Sequence, residues 1–140
     1  MKQAFSVDET IARPVEFVWQ AMVDWEHAGR WMHGIDRLEA HGPLAVGTTL
    51  TFHTRGKTRQ AEIAVCKPGE RLVLRSRQGA VEAEYAYALD PLDPERTRVS
   101  LTARCAVSGP LGLFAPVLRW LVARTDAGQI AALGAWLETK

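Results

Sequence analysis

The sequence predicts an α+β domain made of one antiparallel sheet and a long C-terminal helix, and three observations carry that prediction. Apolar and polar residues alternate with a period of two through most of the chain, turn residues punctuate that alternation at short intervals, and from Gly109 to Lys140 an apolar stretch of helical period replaces it. The first strand is set by Phe5, Val7, Glu9 and Ile11, which alternate with Ser6, Asp8 and Thr10. Pro14 fits the first turn of a helix, where its missing N–H costs nothing, and Val15, Val18, Trp19 and Met22 recur at helical spacing after it. Asp24 is placed to cap a second short helix running from Trp25 to about Met32, with Gly34 ending it.

From Ile35 to Val107 six further strands are expected near residues 35–41, 48–55, 58–67, 71–77, 80–90 and 97–107. Their separators are Gly42-Pro43 with Gly47, then Gly56, Pro68-Gly69, Gln78-Gly79, and Pro91 through Pro94. Ala61, Ile63, Val65, Leu72, Leu74, Val81, Ala83, Tyr85, Tyr87, Leu89, Val99, Leu101, Ala103 and Cys105 fall on the core face, and Gln60, Glu62, Glu82, Glu84, Ser100, Thr102 and Arg104 on the wet one. Pro110 and Pro116 give the last segment an irregular start, so regular helix is expected from about Ala115. With no repeat, linker or low-complexity tract, residues 1–140 read as one domain.

Composition narrows the function classes. Apolar content of 47% and a formal net charge of +1 describe an ordinary globular chain without the basic excess of a nucleic-acid binder. The local cluster Arg55, Lys57 and Arg59 reads as a solvated hairpin. The N-terminus lacks the apolar core of a secretory signal, and no stretch approaches the roughly eighteen apolar residues of a membrane span, so a cytoplasmic protein without an integral membrane segment is expected. Cys66 and Cys105 lack metal or redox spacing and read as reduced thiols, with a disulfide left geometrically open. His27, His33, His41 and His53 show no ligand spacing, and there is no glycine-rich phosphate loop, nucleophile elbow or Cys–His pair, so neither metal nor cofactor is expected.

On the last helix, Phe114, Leu118, Leu121, Thr125, Gly128, Gln129, Ala132 and Trp136 form one stripe, bulky at its ends and small or polar in its middle. Close packing on a sheet would fill that middle, so the thin stretch suggests room for a guest, unless large sheet residues fill the dip. Opposite it, the inward parity of the sheet carries Glu9, Phe52, Thr54, Arg59, Ser76, Tyr85 and Tyr87. Apolar walls with a few polar groups are the makings of a small-molecule site. The candidate ligand-binding residues are therefore Glu9, Phe52, Thr54, Arg59, Tyr85, Tyr87, Phe114, Leu118, Leu121, Thr125 and Gln129. Trp19, Trp25 and Trp31 read as wedges that lock the short helices, and Trp136 as packing near the stripe's end. Trp120 lies off the stripe, as an exposed patch or partner surface would.

Ile11-Ala12-Arg13-Pro14 with Val18-Trp19, Asp24-Trp25 and Trp31, Val46-Gly47-Thr48, Pro68-Gly69-Glu70-Arg71-Leu72, and Gly109-Pro110-Leu111 leading to Leu137-Glu138 recur in one order and spacing. In these the chain resembles, nearly end to end, the START-like or Bet v 1-like (SRPBCC) superfamily, and within it the small bacterial proteins of polyketide cyclase/dehydrase type. The resemblance implies a helix-grip fold: a curved seven-stranded antiparallel sheet wrapping the long C-terminal helix, with the two short helices after the first strand supporting it. It also implies a cavity for an apolar molecule between sheet and helix. The leading expectation is binding of a small hydrophobic ligand, a lipid, isoprenoid or polyketide-like compound. The alternatives are acid–base cyclase chemistry in that cavity, by Glu9, Tyr85, Tyr87 or Arg59, and a protein-interaction module built on Trp120.

Overall fold

The described residues form seven antiparallel strands, a helix after the first strand, a C-terminal pair of helices and two 3₁₀ segments. The structure, a computed structural model, describes residues 1–32 and 34–139; the side chains of Leu111 and Thr125 fall outside that description, as do His33 and Lys140. The strands are β1 (Lys2–Ile11), β2 (Arg37–Ala40), β3 (Thr49–Thr54), β4 (Lys57–Lys67), β5 (Arg71–Gln78), β6 (Val81–Asp93) and β7 (Arg96–Val107). Between β1 and β2 lie α1 (Val15–Met22) and a 3₁₀ segment, Trp25–Arg30. After β7 come a second 3₁₀ segment, Gly109–Phe114, then α2 (Ala115–Asp126) and α3 (Gln129–Glu138). The sheet runs β1-β7-β6-β5-β4-β3-β2. Sequential hairpins build β2 to β7, and β1 closes onto β7 at the far edge. The β3–β4 hairpin turns through Arg55 and Gly56, both with positive φ (49° and 78°), as a two-residue loop matched to strand twist requires.

The strand order agrees with the alternation, with one reversal. β4 carries a bulge between Ile63 and Val65, after which Val65 pairs with Val73 and Cys66 with Leu72. The extra residue flips the parity, so Cys66 takes the core side where Val65 was expected. Cys66 and Cys105 are free thiols on β4 and β7. Two strands separate them, roughly 14 Å at normal strand spacing, which no disulfide bridges.

Two helical expectations are corrected. The segment after Asp24 is 3₁₀ and stops at Arg30 rather than continuing to Met32. Asp24 stands at its N-cap position but makes no side-chain cap bond; its carboxylate instead meets His27 Nδ1 at 2.7 Å. The C-terminal helix is broken: Ala127 and Gly128 have ψ of −21° and −1°, which interrupts the i→i+4 ladder between α2 and α3.

The core lies between the concave face of the sheet and α1, the first 3₁₀ segment and α3. Ile11, Val18, Leu101, Ile130, Leu133 and Leu137 are completely buried there. Gly134 lets α3 approach β1 closely, since a Cβ at that position would lie 3.3 Å from Ile11 Cγ1. At the end of α3 the Glu138 carboxylate accepts the Ala12 backbone N–H at 2.9 Å, and Arg13 Nη2 donates to the Glu138 carbonyl at 3.3 Å. On the convex face Glu62, Arg75 and Glu84 are cross-strand neighbours, with Arg75 and Glu84 paired at 2.9 Å. Such a water-facing ladder adds little stability.

Candidate ligand-binding site

The side of the C-terminal helices that faces the sheet is not the expected stripe. Ile130, Leu133 and Leu137 are buried in α3, and in α2 Val122 packs against the core and Asp126 meets the sheet. Each lies one residue beyond its counterpart in the expected stripe, a rotation of about 100°. Gly128, expected above a void, is exposed. Phe114 (61% exposed) and Leu121 (48%) point away from the sheet, and Leu118 is half-buried between the two sides. Thr125 belongs to α2, and its side chain lies outside the described residues.

At the middle of the sheet–helix interface the thin part of the stripe is filled. Tyr87, 1% exposed, reaches from β6 to Gln129 at the start of α3, and its hydroxyl donates to Gln129 Oε1 at 2.7 Å. Trp31 lies edge-on to the Tyr87 ring with centroids 5.8 Å apart. Its indole Nε1 is buried with no hydrogen-bond partner among the described residues. Two residues along β6, the Tyr85 hydroxyl donates to Asp126 Oδ2 in a short bond, while Gln129 Nε2 donates to Asp126 Oδ1 at 3.4 Å. Tyr85, Asp126, Gln129 and Tyr87 thus form one polar chain linking β6 to both helices.

This chain sets the electrostatics. Burial, and then the Asp126 carboxylate, push both tyrosine phenols well above their ordinary range. The two hydroxyls are therefore neutral donors, Tyr85 to the Asp126 carboxylate and Tyr87 to the Gln129 side-chain carbonyl. Burial also raises the Cys105 thiol, an effect opposed by the Arg119 guanidinium.

Coverage of the concave face is uneven. α2 packs on β1 and β7, at one side of the sheet. Toward the opposite edge Phe52 and Thr54 on β3, Ser76 on β5, and Ala83 and Tyr85 on β6 remain half-buried. They mark a half-covered band of the inner face bordered by Tyr85–Asp126, the trough of the proposed site. Two expected members share the inner parity but lie exposed. Arg59 pairs with Phe52, so it shares the inner parity, but it is exposed because its hairpin lies toward the edge farthest from α2 and α3. Glu9 pairs with Val99 on the inner parity, yet it is exposed because β1 is an edge strand with no neighbour on its outer side. Asp126 was missed by the stripe, although a signal existed: it is the one acidic residue between Glu95 and Glu138.

Elsewhere, hollows of about 340 and 260 Å³ lie on the convex face, the larger lined by Arg71, Glu84 and Arg104 among others and the smaller by Glu62 and Arg75 among others. Asp24, Glu26 and His27 bring potential metal ligands within 4.8 Å of one another at the surface.

Comparison with known proteins agrees with this architecture. Among solved structures, the Zhui aromatase/cyclase of Streptomyces sp. R1128 superposes with a TM-score of 0.76 at 18% identity, over 96% of this chain and 92% of that one. A START superfamily protein of Mycobacterium smegmatis gives 0.73 at 19% identity, over 96% and 97%. The di-domain ARO/CYC BexL of the BE-7585A biosynthetic pathway gives 0.80 at 14% identity, with 99% of this chain matching 47% of that protein. At these identities the likeness establishes the helix-grip fold alone. No curated protein sequence matches the chain. Residues 2–138 match the family described as polyketide cyclase / dehydrase and lipid transport, and with essentially the whole chain matched, the protein belongs to that family.

Proposed function

We propose that the protein binds a small molecule with an apolar body and a carbonyl or phenol oxygen, seated in the trough between β3–β6 and the inner side of α2. The polar chain Tyr85–Asp126–Gln129–Tyr87 carries this reading. Its Tyr85 hydroxyl and carboxylate border the half-buried part of the inner face, so a guest's apolar part can lie along Ala83 and Ser76 while its oxygen takes a place beside Tyr85. Tyr85 can donate its one hydroxyl proton to a guest carbonyl in exchange for its bond to Asp126, and the carboxylate accepts from a phenol. Either end of the pair can fix the orientation of an oxygenated guest.

The same pair supports a second reading, acid–base chemistry. Asp126 is a carboxylate held beside a phenol that keeps its proton, the arrangement needed to withdraw a proton next to a carbonyl while a donor polarises the oxygen. Similarity to an aromatase/cyclase is consistent with this reading, and binding is its prerequisite.

The test compares 2-naphthol with naphthalene by fluorescence titration. Preference for the hydroxylated ring by roughly fivefold or more is expected, as one charge-assisted hydrogen bond provides, and Asp126→Asn should erase most of it. Equal affinities for the two rings, or no binding of either, would refute the trough as the site.

A further inference from the structure

The outer side of α2 and of the 3₁₀ segment before it is apolar and uncovered. Leu113 is 88% exposed, Trp120 57% and Val117 54%, and Phe114 and Leu121 continue the same side. Together these make a contiguous patch of the kind that soluble proteins normally cover. No acidic residue occurs from Arg96 to Thr125; of the arginines in that stretch, Arg96 is paired with Asp93 and Arg104 lies on the convex face, while Arg124 lies at the patch. Arg124 ends the patch, its guanidinium 5.4 Å from the centre of the Trp120 ring. Lys2, exposed on β1 and paired with Cys105, adds positive charge at this end of the sheet. Asp126, the first acid after the patch, points inward to Tyr85, and Glu82 and Glu84 are engaged with Arg77 and Arg75 on the convex face.

We propose that this face docks on an anionic lipid surface, with the helix axis in the plane of the interface. Leu113, Phe114, Val117 and Leu121 would enter the headgroup–acyl boundary, Trp120 would lie at headgroup depth, and Arg124 would reach lipid phosphates. Charge selects this occupant over a second copy of the chain. A twofold contact would bring a second apolar patch with no acidic residue of its own, and so no partner for Arg124. An anionic bilayer neutralises that charge while covering the apolar side chains. Docking requires no ligand in the trough, so it stands or falls separately from the small-molecule reading.

The experiment is flotation with vesicles of phosphatidylcholine alone and of phosphatidylcholine with phosphatidylglycerol, alongside sedimentation velocity without lipid. The wild-type protein should float with the anionic vesicles and dissociate from them as salt is raised. Arg124→Glu should weaken binding by roughly tenfold, as a charge reversal at the lipid surface implies. Leu113→Ser, a substitution at an almost fully exposed site, should weaken it by a similar factor of about ten with the melting temperature unchanged. Failure of the wild type to float, equal flotation with both vesicle types, or indifference to both substitutions would overturn the proposal. So would a dimer in solution that Leu113→Ser dissociates, which would assign the patch to a second copy.

Discussion

Helices α2 and α3 are consecutive stretches of one apolar segment, yet they bury different kinds of surface. α3 turns Ile130, Leu133 and Leu137 to the sheet and leaves none of them exposed. α2 presents Val122, Ala123 and Asp126 to the sheet, and with the segment before it shows Leu113, Val117, Trp120 and Leu121 to solvent. The first obeys the rule that apolar residues face the core; the second obeys it only in part, packing Val122 and Ala123 against the core while its larger apolar side chains stay outside. Such a helix is under-stabilised by its own packing and has spare surface on both sides. The inner side holds Asp126 beside Tyr85, and the outer side leaves Val117, Trp120 and Leu121 uncovered.

The largest effect that would sharpen this contrast comes from truncating equivalent side chains on the two helices. Leu133→Ala should cost about 2–5 kcal/mol, since it leaves a hole in a filled core. Leu121→Ala should change stability by no more than about 0.5 kcal/mol. Urea denaturation of the pair tests the assignment directly, and similar losses in both would mean that α2 is buried in solution. Next in size is Tyr87→Phe, expected to cost about 1–3 kcal/mol because it leaves the buried Gln129 carbonyl without its donor. A neutral result there would show that water or a rotated Gln129 replaces the bond.

The chain has two tyrosines, and both lie in this polar network, so tyrosinate absorbance reports on the network alone. Each phenol holds its proton more tightly folded than unfolded. Below about pH 10 both states keep the proton, and these groups give no pH dependence. Above it the unfolded chain loses protons that the folded one retains, so stability should fall by roughly 1.4 kcal/mol per pH unit for each tyrosine. Tyrosinate absorbance should therefore rise together with loss of secondary structure. Titration of either tyrosine near pH 10 in the folded protein would open the network to solvent and break the contrast between filled and half-open ends.

Much of the fold was legible because strands announce themselves twice, by alternation and by turn chemistry. Gly56, Pro68-Gly69 and Gln78-Gly79 all stand where strands end. The bulge at Ala64 was not legible, since an inserted alanine leaves the alternation looking intact until the partner strand fixes the register. The site was half legible. Parity placed Tyr85 and Tyr87 correctly on the inner side, while Glu9 and Arg59 show that parity gives direction without coverage. The stripe failed for a different reason. Ile130, Leu133 and Leu137 alone would have set the helix rotation, but extending the pattern back through Leu121 and Phe114 pulled it round by one residue. Hydropathy cannot identify the inner side of a helix whose larger apolar side chains stay outside.

The break between α2 and α3 gives the smallest and most discriminating test. Tyr85 and Tyr87 are two residues apart on β6, roughly 6.7 Å along a strand, whereas Asp126 and Gln129 in a regular α-helix would rise only about 4.5 Å. Stretching the turn toward 3₁₀ geometry raises that to roughly 6 Å, so the loosened Ala127–Gly128 step lets each helix meet its own tyrosine. Gly128 is exposed and holds φ −85° and ψ −1°, a conformation open to alanine. Gly128→Ala should therefore keep the stretched step and stabilise the fold by about 0.4–1 kcal/mol, chiefly by restricting the unfolded chain. The tyrosine titration should not move. If alanine instead restores a regular helix, one tyrosine loses its partner, and the substitution will destabilise and lower the pH at which tyrosinate forms.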